Sequence, residues 1–225
     1  MRKEDQDSMP PILHLVRHGE GFHNTAWHGE GICDPLLTPH GKAQCADVCK
    51  NFPYHDKIEL LMASPMKRAI QTCQLSFAPV VARGLKIMLM PLAQESSTEH
   101  MDTGSDVSEI KQMFGDLVDE HRIVSLFPYW NTNCGRFDSD PEVMMERAQM
   151  LRLFIRDREE KEVVLVSHGT FAHALTGNFT SEGVQTTRMW ENCEWRSYTF
   201  DEGEGAKIIE TEESIARRPG LELPN

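Results

Sequence analysis

Along the chain, short apolar runs alternate with longer stretches of helical period. Residues 12–16, 58–63, 86–90 and 163–166 have strand length and sit between polar or glycine- and proline-containing segments. Between the first two, residues 39–52 are predicted to be helical: Thr38 is a good N-cap, Pro39 suits the first turn, and Pro53 ends the run. A second helix follows Ser64-Pro65 and carries Met66, Ala69, Ile70, Cys73 and Phe77 on one face. Asp140-Pro141 opens the longest helix, to about residue 158. Its Val143, Met144, Ala148, Leu151 and Ile155 are predicted to face inward and its arginines to face solvent. Residues 107–118 show helical periodicity interrupted at Gly115, and 170–175 make a short helix. Residues 195–200 alternate as a strand does, and 207–210 suit a short edge strand. Polar stretches 20–35, 96–105 and 130–139 are predicted loops, the first with a helical turn near Asn24. Residues 1–10 and 212–225 are predicted to be flexible ends.

Strands and helices alternate with no linker between them. That predicts a single domain over residues 1–225 of the α/β class, in three layers, with a mostly parallel sheet flanked by helices. A chain of 225 residues can bury roughly 70% of its unfolded surface, and its 40% hydrophobic content is ordinary for a globular chain.

Two strand ends echo each other across the chain. Leu15-Val16-Arg17-His18-Gly19 and Leu165-Val166-Ser167-His168-Gly169 are both aliphatic runs closed by histidine and glycine. Continuous aliphatic runs suit buried parallel strands, and ligands of open α/β sheets bind beyond the strands' carboxyl ends. If the two strands are neighbours, both histidines meet at that edge. The glycines allow a sharp turn and close approach to a ligand.

Arg17-His18-Gly19-Glu20, then Asn24, then Ser167-His168-Gly169, form an ordered set. Leu37-Thr38, Gly41 to Gln44, Ser64-Pro65, Arg68-Ala69 and Gln71-Thr72 extend it, so that it spans about residues 12–177. In these blocks and this order the chain resembles the histidine phosphatase superfamily, which includes phosphoglycerate mutases and many phosphatases. The resemblance implies a phosphoglycerate mutase-like fold and a phosphohistidine at His18. It also implies a phosphate clamp made by Arg17 and Arg68, with His168 and Asn24 as further donors. No cofactor is implied.

The chemistry fits these residue types. Phosphoryl transfer without a metal needs a nucleophile, fixed positive charge on the phosphate oxygens and a proton for the leaving oxygen. Neutral imidazole is a nucleophile, and nearby arginines would keep His18 neutral. Guanidinium donors match phosphate oxygens in pairs. Glu95, at the end of the third strand, is the general-acid candidate, and a poorly hydrated site would have to raise its pKa. Glu99 and Glu20 compete with it for that role.

A metal site finds little support. His14 and His18 on a strand would stand ~13 Å apart. One helical turn beyond His168 is Ala172, which cannot ligate, and there is no H-E-x-x-H helix. Six cysteines without a C-x-x-C pair fit reduced thiols in a cytoplasmic protein. The net charge of −12 argues against nucleic acid as a partner. No apolar run approaches the ~20 residues of a membrane span. The expected partner is a small phosphorylated substrate, and the expected state a monomer or homodimer.

Three functions share the catalytic set. Mutases of the family carry a basic segment after the acid that holds a bisphosphorylated cofactor. Here Ser96 to Ser105 contains no lysine or arginine, and none appears until Lys111. Gly21 and His23 also depart from the commonest mutase motif. The expectation is a metal-independent phosphomonoesterase working through phospho-His18. A phosphoglycerate-type mutase and a non-catalytic phospho-ligand-binding module are the alternatives. Substrate choice would rest on loop 20–34, segment 96–137 and side chains such as Arg136 and Arg188.

Overall fold

The computed structural model describes residues 9–25 and 31–218. Two aliphatic strands, β1 (Ile12–Arg17) and β5 (Glu162–Ser167), lie side by side in parallel near the middle of a seven-stranded sheet. The others are β2 (Leu60–Ala63), β3 (Ile87–Leu89), β4 (Val118–Asp119), β6 (Trp195–Phe200) and β7 (Ile208–Glu210). The order is β4-β3-β2-β5-β1-β6-β7, parallel from β4 through β1, with β6 and β7 antiparallel. Leu13, Leu15, Val163, Val164, Leu165 and Val166 are fully buried, as expected of strands covered on both faces.

The helices are α1 (Pro39–Asn51), α2 (Lys67–Ser76), α3 (Ala78–Ala82), α4 (Val107–Phe114), α5 (His121–Leu126), α6 (Pro141–Arg156), α7 (Gly169–Leu175) and α8 (Glu212–Ala216). Thr38 caps α1 by accepting from Gly41 N, and Asp140 caps α6 by accepting from Glu142 N and Val143 N. The apolar stripe of α2 closes against the core with Met66, Ala69, Ile70, Cys73 and Phe77 fully buried. Gly115 ends α4, as the interrupted periodicity predicts.

Three local expectations change. The stretch from residue 212 is not an open tail at its start: Glu212–Ala216 is helical, capped by Thr211 accepting from Ser214 N. Arg217 then lies over the Trp195 ring at 3.9 Å, and Ser214 accepts from Ser197 N. Residues 219–225, residues 1–8, and the 26–30 part of the first predicted loop lie outside the described residues. The arginines of α6 are not all solvated. Arg147 is fully buried, its guanidinium 4.7 Å from the Phe171 ring centre, and burial lowers its pKa to about 10. Two aromatic faces shelter this cation where water would be expected. Finally, β4 and α5 form in a stretch whose periodicity predicts neither.

Leu165 lies at the centre of the sheet, between Leu15 of β1 and Met62 of β2. A Leu165→Ala substitution is expected to cost about 2–5 kcal/mol in urea unfolding, because close-packed neighbours cannot collapse into the void. A loss below 1 kcal/mol would contradict this account of the core.

Candidate active site

The β1–β5 register aligns Arg17 with Ser167, so His18 and His168 leave the sheet together at its carboxyl edge. Their rings are 5.1 Å apart between centres. His18 N also bonds Ser167 O, which ties the two strand ends together.

The residues around the nucleophile candidate are fasteners. Gly19 N donates to Thr72 Oγ1, Glu20 N to Gln44 Oε1, and Leu37 N to Gln71 Oε1. Cys193 N contacts the carbonyls of Arg17 and His18, and Asn192 Nδ2 donates to His18 O. Gln44, Gln71 and Thr72 of the α1 and α2 motifs thus each hold a backbone group of the loop that carries His18 or leads into α1.

His18 is 3% exposed. Its Nδ1 lies 2.7 Å from Gly19 O. A carbonyl can only accept, so the proton sits on Nδ1 and Nε2 carries the lone pair. Arg68 Nε donates toward that Nε2 at 3.3 Å. Burial first, and then Arg68 and Arg17, hold the imidazole well below its usual pKa of 6.5. The ring is therefore a neutral imidazole whose Nε2 faces a guanidinium, the form a nucleophilic role would need.

Arg68, 1% exposed, is the hub. Its Nη1 donates to Met101 O at 2.7 Å, and its Nη2 donates to Asp102 Oδ1 at 2.6 Å and to His168 Nδ1 at 3.2 Å. His168 Nε2 faces Ser64 Oγ at 2.8 Å. With Nδ1 accepting, Nε2 carries the proton and Ser64 accepts it. His168 therefore lies behind Arg68 and positions it. To donate to a phosphate, its proton would have to shift to Nδ1, with the Ser64 hydroxyl turned to donate to Nε2.

Arg17 is half-buried. Its Nη1 donates to Trp190 O, and its Nε is buried without a protein partner among the described residues. Gly169 makes this possible: a Cβ there would stand 3.3 Å from Arg17 Nε and 3.0 Å from Met189 Sδ. Glu95 is half-buried and accepts from Thr170 N at 3.1 Å and Phe171 N at 3.0 Å, at the start of α7. Burial and then the Asp102 carboxylate raise its pKa, while the two N–H groups and Arg68 oppose the rise. Asn24 ends a single 3-10 turn, Phe22–Asn24, and its Oδ1 accepts from Gly21 N.

Arg17, His18, Asn24, Arg68 and Glu95 line one cavity of about 230 Å³, joined by His23, Ser96, Ser97, Met101, Asp102, Gly169, Thr170 and Met189. This is smaller than the ~300–1,000 Å³ of sites for drug-sized ligands. Glu99 is exposed on a turn, and Glu20 instead accepts from the Thr38 hydroxyl at 2.6 Å. Of the three carboxylates considered, Glu95 is the one on the cavity wall. Arg136 and Arg188 are not brought in. Arg188 makes a paired contact with Glu194, and Arg136 points at Met150 Sδ.

Two residues of the site carry no role in the sequence reasoning. Asp102 sits in a polar loop that periodicity does not distinguish. His23 packs 5.3 Å from His18, and burial, Arg68 and Arg17 lower its pKa to about 3. Gly21 leaves room for the His23 ring. A Cβ at Gly21 would stand 2.7 Å from the His23 ring.

With this geometry in place, comparison with known proteins agrees with the motif resemblance. The profile of the histidine phosphatase superfamily, branch 1, matches residues 13–210, and the chain belongs to that family. It is 28% identical to a phosphoglycerate mutase-like protein of Arabidopsis thaliana, covering 95% of this chain and 94% of that one. It is 24% identical to a probable phosphatase of Schizosaccharomyces pombe, covering 70% of this chain and 73% of that one. Among solved structures, the ecdysone phosphate phosphatase of the silkworm Bombyx mori, in complex with tungstate, shares the fold. The TM-score is 0.59 at 15% identity, over 96% of both chains. A phosphoserine phosphatase of Entamoeba histolytica also shares it, with a TM-score of 0.54 at 21% identity, over 90% of this chain and 95% of that one.

Both His18 and His168 are held well below pKa 6.5 in the folded chain. The unfolded chain therefore binds protons that the folded one does not. The stability these rings contribute is fully present above about pH 6.5 and declines as pH falls below it. Nitrogen-15 NMR at pH 6.5 should show His18 neutral with its proton on Nδ1. A half-protonated ring at that pH would refute the assignment.

Proposed function

We propose that the protein is a phosphatase of the histidine phosphatase type, hydrolysing a small phosphomonoester through a phospho-His18 intermediate without a metal. The observation that carries this reading is the His18 ring. It is buried, neutral, protonated on Nδ1 by the Gly19 contact, and presents Nε2 to a cavity that also holds Arg17 and Arg68.

His18 Nε2 attacks phosphorus, and a phosphorus–nitrogen bond forms as the ester phosphorus–oxygen bond breaks. Arg17 and Arg68 balance charge on the non-bridging oxygens, the largest catalytic term expected of a preorganised site. Glu95, its pKa raised by burial, gives its proton to the leaving alkoxide. The same carboxylate then takes a proton from water, which attacks phosphorus, frees His18 and yields inorganic phosphate. The arginines supply the positive charge, so no step requires a metal.

Water, rather than a second phosphorylated molecule, is the acceptor in this reading. Between Lys86 and Lys111 the chain has no lysine or arginine, so the segment over the site offers nothing to hold a bisphosphorylated intermediate. Small soluble metabolites fit the cavity of about 230 Å³. A chain of net charge −12, with free cysteines throughout the described residues, suits a reducing cytoplasm and a small substrate rather than nucleic acid. Among the described residues no helix is long and apolar enough to cross a membrane.

Intact mass after brief incubation with p-nitrophenyl phosphate tests the intermediate. An alkali-stable, acid-labile phosphoryl group is expected on the wild type and absent from His18→Ala, with hydrolysis reduced at least ~10³-fold. Full activity in His18→Ala would sink the proposal. Glu95→Gln should retain much more activity on p-nitrophenyl phosphate, a good leaving group, than on alkyl phosphates. It should also lose the fall in rate on the alkaline side that deprotonation of the acid produces. Equal losses on both esters would remove Glu95 as the acid.

A further inference from the structure

The cavity has two cations, Arg17 and Arg68, and both face the position of the transferring phosphoryl group. Around these cations the segment after Glu95 lines the cavity with Ser96, Ser97, Met101 and Asp102, and Thr170 and Met189 complete the wall. The one charge among these side chains is the carboxylate of Asp102, which is 4% exposed.

Asp102 is fixed in place. Oδ1 accepts from Arg68 Nη2 at 2.6 Å, and Oδ2 accepts from Ser97 Oγ at 2.6 Å. Its backbone carbonyl accepts from Asn133 Nδ2 at 3.3 Å, and the preceding carbonyl of Met101 holds Arg68 Nη1. Both carboxylate oxygens are engaged, so turning the group away would break the Arg68 and Ser97 contacts together. The nearest basic residues in sequence, Lys86 and Lys111, lie off the cavity wall.

A phosphate dianion meets two guanidinium groups, one already paired with Asp102. A second anionic group on the same substrate would meet a carboxylate and no further cation. An unpaired carboxylate ~6 Å away, at the effective dielectric of a partly buried site, would cost ~100-fold in binding, and the ion pair with Arg68 reduces this to ~10-fold. A hydroxyl would find Ser96, Ser97 and Thr170, and an amine would find Asp102 itself.

We infer that Asp102 is a specificity-determining residue that rejects anionic leaving groups, so that the substrates are phosphomonoesters of neutral or amine-bearing alcohols. This rests on the phosphatase reading above. It adds a class of substrate to that reading and a residue that selects the class.

Three esters of similar size test it: sn-glycerol 3-phosphate, 3-phosphoglycerate and phosphoethanolamine, with p-nitrophenyl phosphate as the activity reference. In the wild type at pH 7, kcat/KM for glycerol 3-phosphate should exceed that for 3-phosphoglycerate by at least ~10-fold, with phosphoethanolamine no worse than glycerol 3-phosphate. Raising the salt concentration should narrow the gap. Asp102→Asn should shrink the neutral-over-anionic ratio by ~10-fold, and Glu99→Gln, on the exposed part of the segment, should leave it unchanged. Any slackening of Arg68 affects all three esters and cancels in the ratio. Should Asp102→Asn prove inactive, the wild-type ratio and its salt dependence still decide. Equal wild-type efficiencies for glycerol 3-phosphate and 3-phosphoglycerate, or a ratio unmoved in an active Asp102→Asn, would overturn the inference alone. No turnover of any ester, p-nitrophenyl phosphate included, would overturn the phosphatase reading and this inference with it.

Discussion

Everything at the site depends on the parallel pairing of β1 with β5. The pairing sets Arg17 opposite Ser167 and releases two histidines at one edge. A one-residue slip would turn every side chain of a strand to the opposite face and carry the buried aliphatic set with it. The core therefore fixes the register, and the register fixes the distance between the rings. The loop after β1 is then held by side chains from α1 and α2, so His18 rests on three elements rather than on a free turn.

Positive charge is concentrated where it suppresses proton binding. His18, His23 and His168 all lie near Arg68 and are held neutral by burial and by the guanidinium groups. The carboxylic acid of the site is pushed the opposite way, toward its protonated form, by burial and by Asp102. A neutral imidazole and a carboxyl pushed toward its protonated form are the pair that the proposed phosphoryl transfer from an ester would use. Arg68 links them, since it touches both histidines, Asp102 and the Met101 carbonyl.

The segment from Ser96 to Ser105 has no regular hydrogen-bonded element beyond the His100–Asp102 turn, yet it is well anchored. Asp34 joins it to α2 by accepting from Lys67 N with one carboxylate oxygen and from Ser105 N with the other. Asn133 and Asn131 hold the carbonyls of Asp102 and Gly104 from the far side. A loop held in this way can carry a fixed charge, which a solvated loop cannot.

Arg17, His18 and Arg68 were legible because each sits at a strand end or in the first turn of a helix within a recognisable block, Asn24 by its place after the first block, and Glu95 because it follows the third strand. The strands and most helices were legible because aliphatic runs and helical stripes are local patterns. The start of α8, the strand β4 and the helix α5 were not, since they rest on distant parts of the chain: α8 and the residue after it on Ser197 and Trp195, β4 on Ile87, and α5 on β3. The same holds for Arg147, whose charge and helical position suggest solvent and whose partners, Phe171 and Phe137, are supplied by other elements. Asp102 shows the difference most plainly. By itself the sequence determined that an acidic, cation-free segment follows Glu95. Only the tertiary structure decided that one of its carboxylates lies against Arg68, because that placement depends on Ser97, Asn133 and a guanidinium 34 positions away in the chain.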